Sequence, residues 1–321
     1  MRIERLAREN ARTQGPERRA WYRRHSPEHL HALETLVAAA LVARKPSAPS
    51  TAAVLGAGAC TELPLERIAR ACERVTLVDL DAAGMGRARD EELSPALRPR
   101  MELLAADLTG GVSAALSALL RAQPWADLAA LGGPQGSAPL DAAADCLERC
   151  PIADPSQIAG LAPGGYGLVV SSLTLTQLFS LPLLDVLDML NFHAPGAADL
   201  RETSPRYQAA AQGFRRRIAQ AHLSLIAALL APGGAALLTS DVTGYLLAPG
   251  SGPHRGSADE AFEMLPRAVL DLTADLAPRF ERVEEPRRWR WLVSAPEGGM
   301  PGRAYDTMGI VLRPRRDDLL Q

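Results

Sequence analysis

Lysine is almost missing from this chain: of its 35 lysines and arginines, only Lys45 is a lysine. Aromatic side chains are scarce at 4%, and the four cysteines, Cys60, Cys72, Cys146 and Cys150, form no CxxC pair and have no histidine at zinc-finger spacing. These gaps argue against a zinc module and against a disulfide-stapled secreted domain, so reduced thiols and no metal site are expected. Cys146 and Cys150 are four apart and would share a helix face, where two semi-buried thiols are a simpler reading than a metal or redox pair. Excess charge of one sign is also lacking. The formal net charge of -2 gives no general attraction to nucleic acid or to an anionic membrane. The most apolar region, Leu168 to Leu190, is broken by Ser171, Ser172, Thr174, Thr176, Gln177, Pro182, Asp185 and Asp188, which makes it a poor membrane span. Met1-Arg2-Ile3-Glu4-Arg5 lacks the apolar run of a signal peptide, so a soluble, cytoplasmic protein with no membrane partner is expected.

What is present is a chain of 321 residues, 47% hydrophobic, long enough to bury a large core. Its most informative stretch is Ala52-Ala53-Val54-Leu55-Gly56-Ala57-Gly58, followed by Val75-Thr76-Leu77-Val78-Asp79. The order reads as strand, glycine turn, helix, strand and carboxylate. Gly56 and Gly58 lack a Cβ and let the backbone pass close to a ligand, the next helix brings unpaired N–H donors, and an acid about 20 residues on suits a ribose diol. A nucleoside-cofactor site is expected. Further strands are read at Met101 to Asp107, Tyr166 to Ser172 and Ala235 to Ser240, the last introduced by the helix stop Leu230-Ala231-Pro232-Gly233-Gly234. Interleaved with helices, they imply an α/β doubly wound, mostly parallel sheet with ligand at the carboxyl ends of its strands. Phe280 to Val293 and Tyr305 to Leu312 read as an antiparallel C-terminal hairpin with a long loop between.

Residues 1–45 read as a helical N-terminal extension, with Ser26-Pro27-Glu28 as a helix start and Leu30, Leu33, Val37 and Leu41 at helical spacing. Residues 46–321 are then the main domain. The extension carries ten basic and five acidic side chains. It reads as an amphipathic helix pair with a solvated arginine face, or as a basic lid in which Trp21 and Tyr22 cover a bound substrate.

Over roughly residues 50 to 313 these motifs resemble the class I S-adenosylmethionine-dependent methyltransferases. Val54-Leu55-Gly56-Ala57-Gly58 is similar to the family's first motif, with Cys60 where a third glycine is common. Asp79, followed by Leu80, matches the acid that binds the ribose hydroxyls, with Asp81 as a substitute, and Asp107-Leu108 the pair that reads the adenine edge. Leu168 to Leu178, with Ser171 and Ser172, resembles the fourth motif, although Gly167 stands where an acid often precedes that strand. The resemblance implies a seven-stranded sheet ending in an antiparallel hairpin, S-adenosylmethionine as cofactor, and a cofactor site of Gly56, Ala57, Gly58, Glu62, Asp79, Leu80, Asp107, Leu108, Ser171 and Ser172. Dinucleotide enzymes also place glycines and an acid at this distance, but Glu62 beside the turn would repel a pyrophosphate. It is tolerable beside the ammonium of S-adenosylmethionine, or it is simply a helix-start acid.

Methyl transfer from a sulfonium requires the nucleophile to be held in line with the methyl group and water to be excluded. A hydroxyl or ammonium acceptor also needs a base, for which His193 in Asn191-Phe192-His193-Ala194-Pro195-Gly196 is the first candidate and Tyr207 the second. His222, on an apolar helix, reads as a packed or hydrogen-bonded histidine, and His254 as a loop residue able to reach the pocket mouth. Gly110 to Gly165 and Leu181 to Arg206 read as long loops that shape acceptor specificity. The arginine runs at Arg215 to Arg217, Arg287 to Arg290 and Arg313 to Arg316 fit solvated faces better than an RNA acceptor. A small-molecule acceptor is expected and nucleic acid is not. The alternatives are a nicotinamide-dependent or aminopropyl-type enzyme of the same fold, or a non-catalytic nucleoside-binding module.

Overall fold

The computed structural model describes residues 16–132, 137–154, 158–248, 261–271, 274–296 and 301–315. Its centre is a sheet whose parallel strands are β1 (Thr51–Leu55), β2 (Arg74–Asp79), β3 (Met101–Ala105), β4 (Tyr166–Ser172) and β5 (Leu230–Leu247). Four more strands, β6 (Ala261–Glu263), β7 (Phe280–Arg282), β8 (Arg287–Ser294) and β9 (Gly302–Pro314), complete it. The order is β3-β2-β1-β4-β5-β9-β7, with β6 paired to β5 and β8 to β9. Seven strands therefore form the continuous path, as expected, and two extend it. β9 runs antiparallel to β5, β7 and β8, which gives the C-terminal hairpin. Strand order reverses between β1 and β4, the position at which doubly wound sheets open a ligand crevice at their carboxyl ends.

The parallel strands read as continuous apolar runs because both faces are buried. Along β4, Leu168 and Val170 join one core and Val169 joins the other. The first core packs under α2 (Pro27–Ala43), α3 (Leu65–Ala71) and α4 (Ala82–Glu92), which contribute Leu36, Val37, Ile68 and Met85. The second lies under α5 (Val112–Arg121), α7 (Ala138–Arg149), α8 (Leu175–His193) and α10 (Pro205–Leu229), with Leu116, Leu147, Phe179 and Phe214. α6 (Trp125–Gly132) and α9 (Pro195–Asp199) are short connectors, and α1 (Pro16–His25) precedes α2. Cys146 and Cys150 are buried in the second core, on α7 and at its C-terminal cap.

Three local expectations are corrected. Gly110 to Gly165 and Leu181 to Arg206 are largely helical, forming α5 to α7, the rest of α8, and α9; their apolar residues recur at helical spacing and are buried, which loops would not allow. The stop at Leu230 to Gly234 lies inside β5: α10 ends at Leu229, and the proline and glycines form an irregularity between the pairs Tyr166/Leu230 and Leu168/Ala235. Ser26 precedes α2 without capping it. Its hydroxyl donates to Leu292 O and accepts from Leu292 N, both at 2.9 Å, so the serine ties the helix start to β8.

Candidate functional site

The crevice is built from the turns that follow β1, β2 and β4 and from the stretch of β5 that passes the β4 end. After β1, Gly56 and Gly58 adopt left-handed conformations, with φ of 68° and 47°. A Cβ on Gly56 would fall on the Thr174 side chain, so this glycine lets the β1 and β4 ends meet as well as sparing the backbone. Cys60, in the place of the third glycine, also takes φ 48°, at a strain of roughly 1–2 kcal/mol for a residue with a side chain. Its thiol is pushed up to about 12, chiefly by burial, and is therefore unreactive. The expectation that a helix begins directly after the turn is corrected: Ala59 to Pro64 is irregular and α3 starts only at Leu65.

Asp79 ends β2 and faces this turn. Its Oδ2 accepts from Gly58 N at 2.9 Å and its Oδ1 from Asp81 N at 2.8 Å. Burial raises its pKa, against the lowering effect of these backbone donors. Each oxygen has one fixed donor and retains a second lone-pair direction for a diol. Asp81 accepts from Gly84 N at 2.8 Å as the cap of α4. Leu80 is half exposed at the strand tip. Asp107 holds its own turn: Oδ1 takes Thr109 N at 2.8 Å and Thr109 Oγ1 at 2.7 Å, and Oδ2 takes Gly111 N at 3.1 Å. Leu108 beside it is buried and lines a small cavity with Val112, Leu178 and His222.

At the end of β4 the two serines point to inner partners. Ser171 Oγ is 2.8 Å from His222 Nε2, and Ser172 Oγ is 3.0 Å from Thr239 Oγ1. Both serines are buried, so they order the strand end from beneath rather than meet a ligand. Burial drives the His222 pKa down to about 4, which makes it the neutral, hydrogen-bonded histidine expected from its helix. Leu173, next in the chain, is buried at φ 56°, another strained position at the crevice floor. Thr174 Oγ1 donates to Leu55 O at 3.0 Å and Thr176 Oγ1 to Asp241 Oδ2 at 3.4 Å.

Asp241, which the sequence reading missed, stands where β5 passes the β4 end. It is 6% exposed, and its Oδ1 has no hydrogen-bond partner among the described residues. Burial first, then the Glu62 carboxylate, raises its pKa to about 7. Glu62 is likewise raised by burial, opposed by Arg18, Thr61 and Arg19. Glu62, in the segment after β1, and Asp241, on β5, therefore act on each other across the crevice. The available signal was the polar run Thr239-Ser240-Asp241 closing an apolar strand. α1 lies over them: Arg19 reaches the Cys60 carbonyl, donates to Leu63 O at 3.1 Å and pairs with Glu92 at 2.7 Å, while the buried Tyr22 hydroxyl sits between Arg18 and Glu62.

The two proposed bases are not brought here, which is a correction. His193 ends α8, a helix of nineteen residues and so about 27 Å long, and its ring stacks 6.2 Å from Trp125. Tyr207 is buried near the start of α10, about 22 Å along the helix from His222, the residue that touches the β4 end. Both were placed by reading helical segments as pocket loops. His254 lies outside the described residues. Among the described residues, no helix is long and apolar enough to cross a membrane.

No family model and no curated protein matches the chain. Solved structures are similar over most of its length. A predicted O-methyltransferase from Agrobacterium tumefaciens is 17% identical, covering 84% of this chain and 79% of that one at a TM-score of 0.32. The glycopeptide N-methyltransferase MtfA is 12% identical, with coverages of 88% and 89% and a TM-score of 0.34. Geranyl diphosphate C-methyltransferase from Streptomyces coelicolor A3(2), in complex with S-adenosyl-L-homocysteine, is 12% identical, with coverages of 89% and 82% and a TM-score of 0.37. At these identities and scores the likeness carries no activity or residue role to this chain. The class I methyltransferase-like fold rests on the chain's own strand order and antiparallel last strand.

Proposed function

We propose that this protein transfers a methyl group from S-adenosylmethionine to a small-molecule acceptor by in-line displacement. The observation that carries the reading is Asp79, fixed by Gly58 N and Asp81 N at the tip of β2 beside the strand-order switch, with one lone-pair direction on each oxygen left for a ribose diol. Two features favour this cofactor over a dinucleotide. The glycine turn is followed by six irregular residues, so no helix N-terminus meets a pyrophosphate there, and Glu62 would repel one. Glu62 suits the ammonium of the amino acid end, and a cation beside it would offset the cost of its burial.

S-adenosylmethionine would supply an activated methyl group on a positively charged sulfur. The chain's own residues then hold the ribose through Asp79, hold the ammonium through Glu62, and exclude water through the buried β4 end and the α1 cover. The other cofactor residues of the sequence reading take supporting places in this proposal: Gly56, Ala57 and Gly58 shape the turn, Leu80 and Leu108 offer apolar edges, and Asp107, Ser171 and Ser172 stiffen the loops.

Calorimetry with S-adenosylhomocysteine and with NAD tests the reading. S-adenosylhomocysteine binds in the micromolar range and NAD is ignored, and Asp79→Asn weakens the first at least tenfold, as loss of a charged acceptor for two hydroxyls requires (about 1.4 kcal/mol per tenfold). Binding of NAD alone would sink it, and affinity without methyl transfer to any component of a cell extract would leave a binding module.

A further inference from the structure

Asp241 has no place in the cofactor site just proposed, yet it is a buried carboxyl whose charge no described residue compensates. Among the described residues its Oδ1 is unpartnered, its Oδ2 has only the long contact from Thr176, and the one charged neighbour that shifts it is another carboxylate, Glu62. A carboxylate buried without a cation is expensive, and such a group persists where a ligand supplies what is missing. The wall beside it is aromatic. Tyr305 faces Asp241 from β9, Trp291 of β8 lies 5.8 Å from Tyr305, and Tyr22 of α1 lies 5.9 Å from Trp291. Carboxylates combined with aromatic faces are the chemistry that receives an organic cation. A guanidinium already takes that part in this closed arrangement: Arg18, on α1, acts on Glu62.

We infer that Asp241, with the Tyr22–Trp291–Tyr305 wall, receives the protonated amine of the acceptor, and that the methyl group is transferred to that nitrogen. The inference rests on the methyltransferase reading. Asp241 takes one N–H proton from the bound ammonium, which frees the nitrogen lone pair. The nitrogen then forms its bond to the methyl carbon as the carbon–sulfur bond breaks, with that bond's electron pair passing to sulfur; the products are an N-methylammonium, a neutral thioether and a protonated Asp241. Asp241 ionises near neutral pH, which suits this exchange. For the amine to enter, α1 opens, and it closes again over the bound amine with Tyr22 back against Trp291.

The probes are phenethylamine, whose ring suits the wall and which stays protonated below pH 8, and its neutral isostere 2-phenylethanol. Each is titrated calorimetrically into the full-length protein, with and without saturating S-adenosylhomocysteine. At pH 8 the amine binds at least tenfold tighter than the alcohol, and in Asp241→Asn the ratio falls below two while S-adenosylhomocysteine affinity stays within threefold. Wild-type protein gives a second test that no folding defect can confuse. The groups that face Asp241 and its wall are Glu62, Tyr22, Arg18, Tyr305 and Arg303. Asp241 protonates as pH falls through 7 and no other described group replaces its charge, so amine affinity drops at least fivefold from pH 8 to pH 6 while alcohol affinity is flat. Equal binding of amine and alcohol, including no binding of either, overturns the inference, as does a preference kept in Asp241→Asn or unmoved by pH. A wild-type protein that ignores S-adenosylhomocysteine overturns the methyltransferase reading instead, and the amine-to-alcohol ratio without it still decides this one.

Discussion

Asp241 joins a cost in stability to a use in binding, and the two can be measured apart. Its folded pKa, about 7, lies well above the ordinary carboxylate value of 3.8, so the folded protein holds a proton that the unfolded chain releases. A group raised in this way contributes its stability below the unfolded value, and that contribution is lost as pH rises through 7. Asparagine keeps the shape and never carries the charge. Asp241→Asn is therefore expected to unfold at the same urea concentration as wild type near pH 4 and at a clearly higher one at pH 8, a gain on the order of a few kcal/mol. A variant that is less stable at pH 8 would mean that the carboxylate is compensated after all. The same site holds a second strained residue: Cys60→Gly removes a left-handed side chain and is expected to be neutral or slightly stabilising.

α1 is held over the crevice by its arginines and by the buried ring of Tyr22. Arg19 bridges to the Cys60 and Leu63 carbonyls and to Glu92, and Arg18 reaches Val293 O at 2.8 Å. α2 by contrast buries Leu33, Leu36, Val37 and Ala40 completely. Arg19→Ala should therefore speed amide hydrogen exchange in α1 at least tenfold while α2 is unchanged; equal acceleration of both helices would show that they open as one unit. The lid reading of the N-terminal segment depends on that difference. The strands were legible because a parallel sheet needs apolar runs bounded by turns, and β4 was read to the residue. Asp79 was legible because its role is local, at a strand tip next to a glycine turn. Asp241 was not: its chemistry comes from Glu62, 179 positions earlier in the chain, and from the passage of β5 beside β4, neither of which leaves a periodic mark. His193 and Tyr207 were misplaced for a related reason, since Pro195, Gly196 and Pro205 mark helix starts and connectors here rather than a long pocket loop.

The two core layers meet acid differently from the crevice. His29, in the helix that covers one face of the sheet, accepts from Trp289 Nε1 at 2.9 Å, and burial lowers its pKa to about 3. His222, under the other face, is lowered to about 4 for the same reason. Both are neutral in the fold and protonate near the ordinary value of 6.5 once unfolded. Below 6.5 the unfolded chain therefore binds more protons than the folded one, and stability falls as pH drops through this window toward 4 and 3, with a slope of up to about 1.4 kcal/mol per pH unit for each histidine. Asp241 acts with the opposite sign between 3.8 and 7, so the wild-type curve is flattened by partial cancellation. Replacing Asp241 by Asn should steepen the acid-side slope, with Asp79 and Glu62 still opposing the histidines, and adding His222→Gln should make it shallower again. Urea midpoints of the three proteins from pH 4 to pH 8 check this. Parallel curves for Asp241→Asn and the double variant would show that His222 is not held neutral.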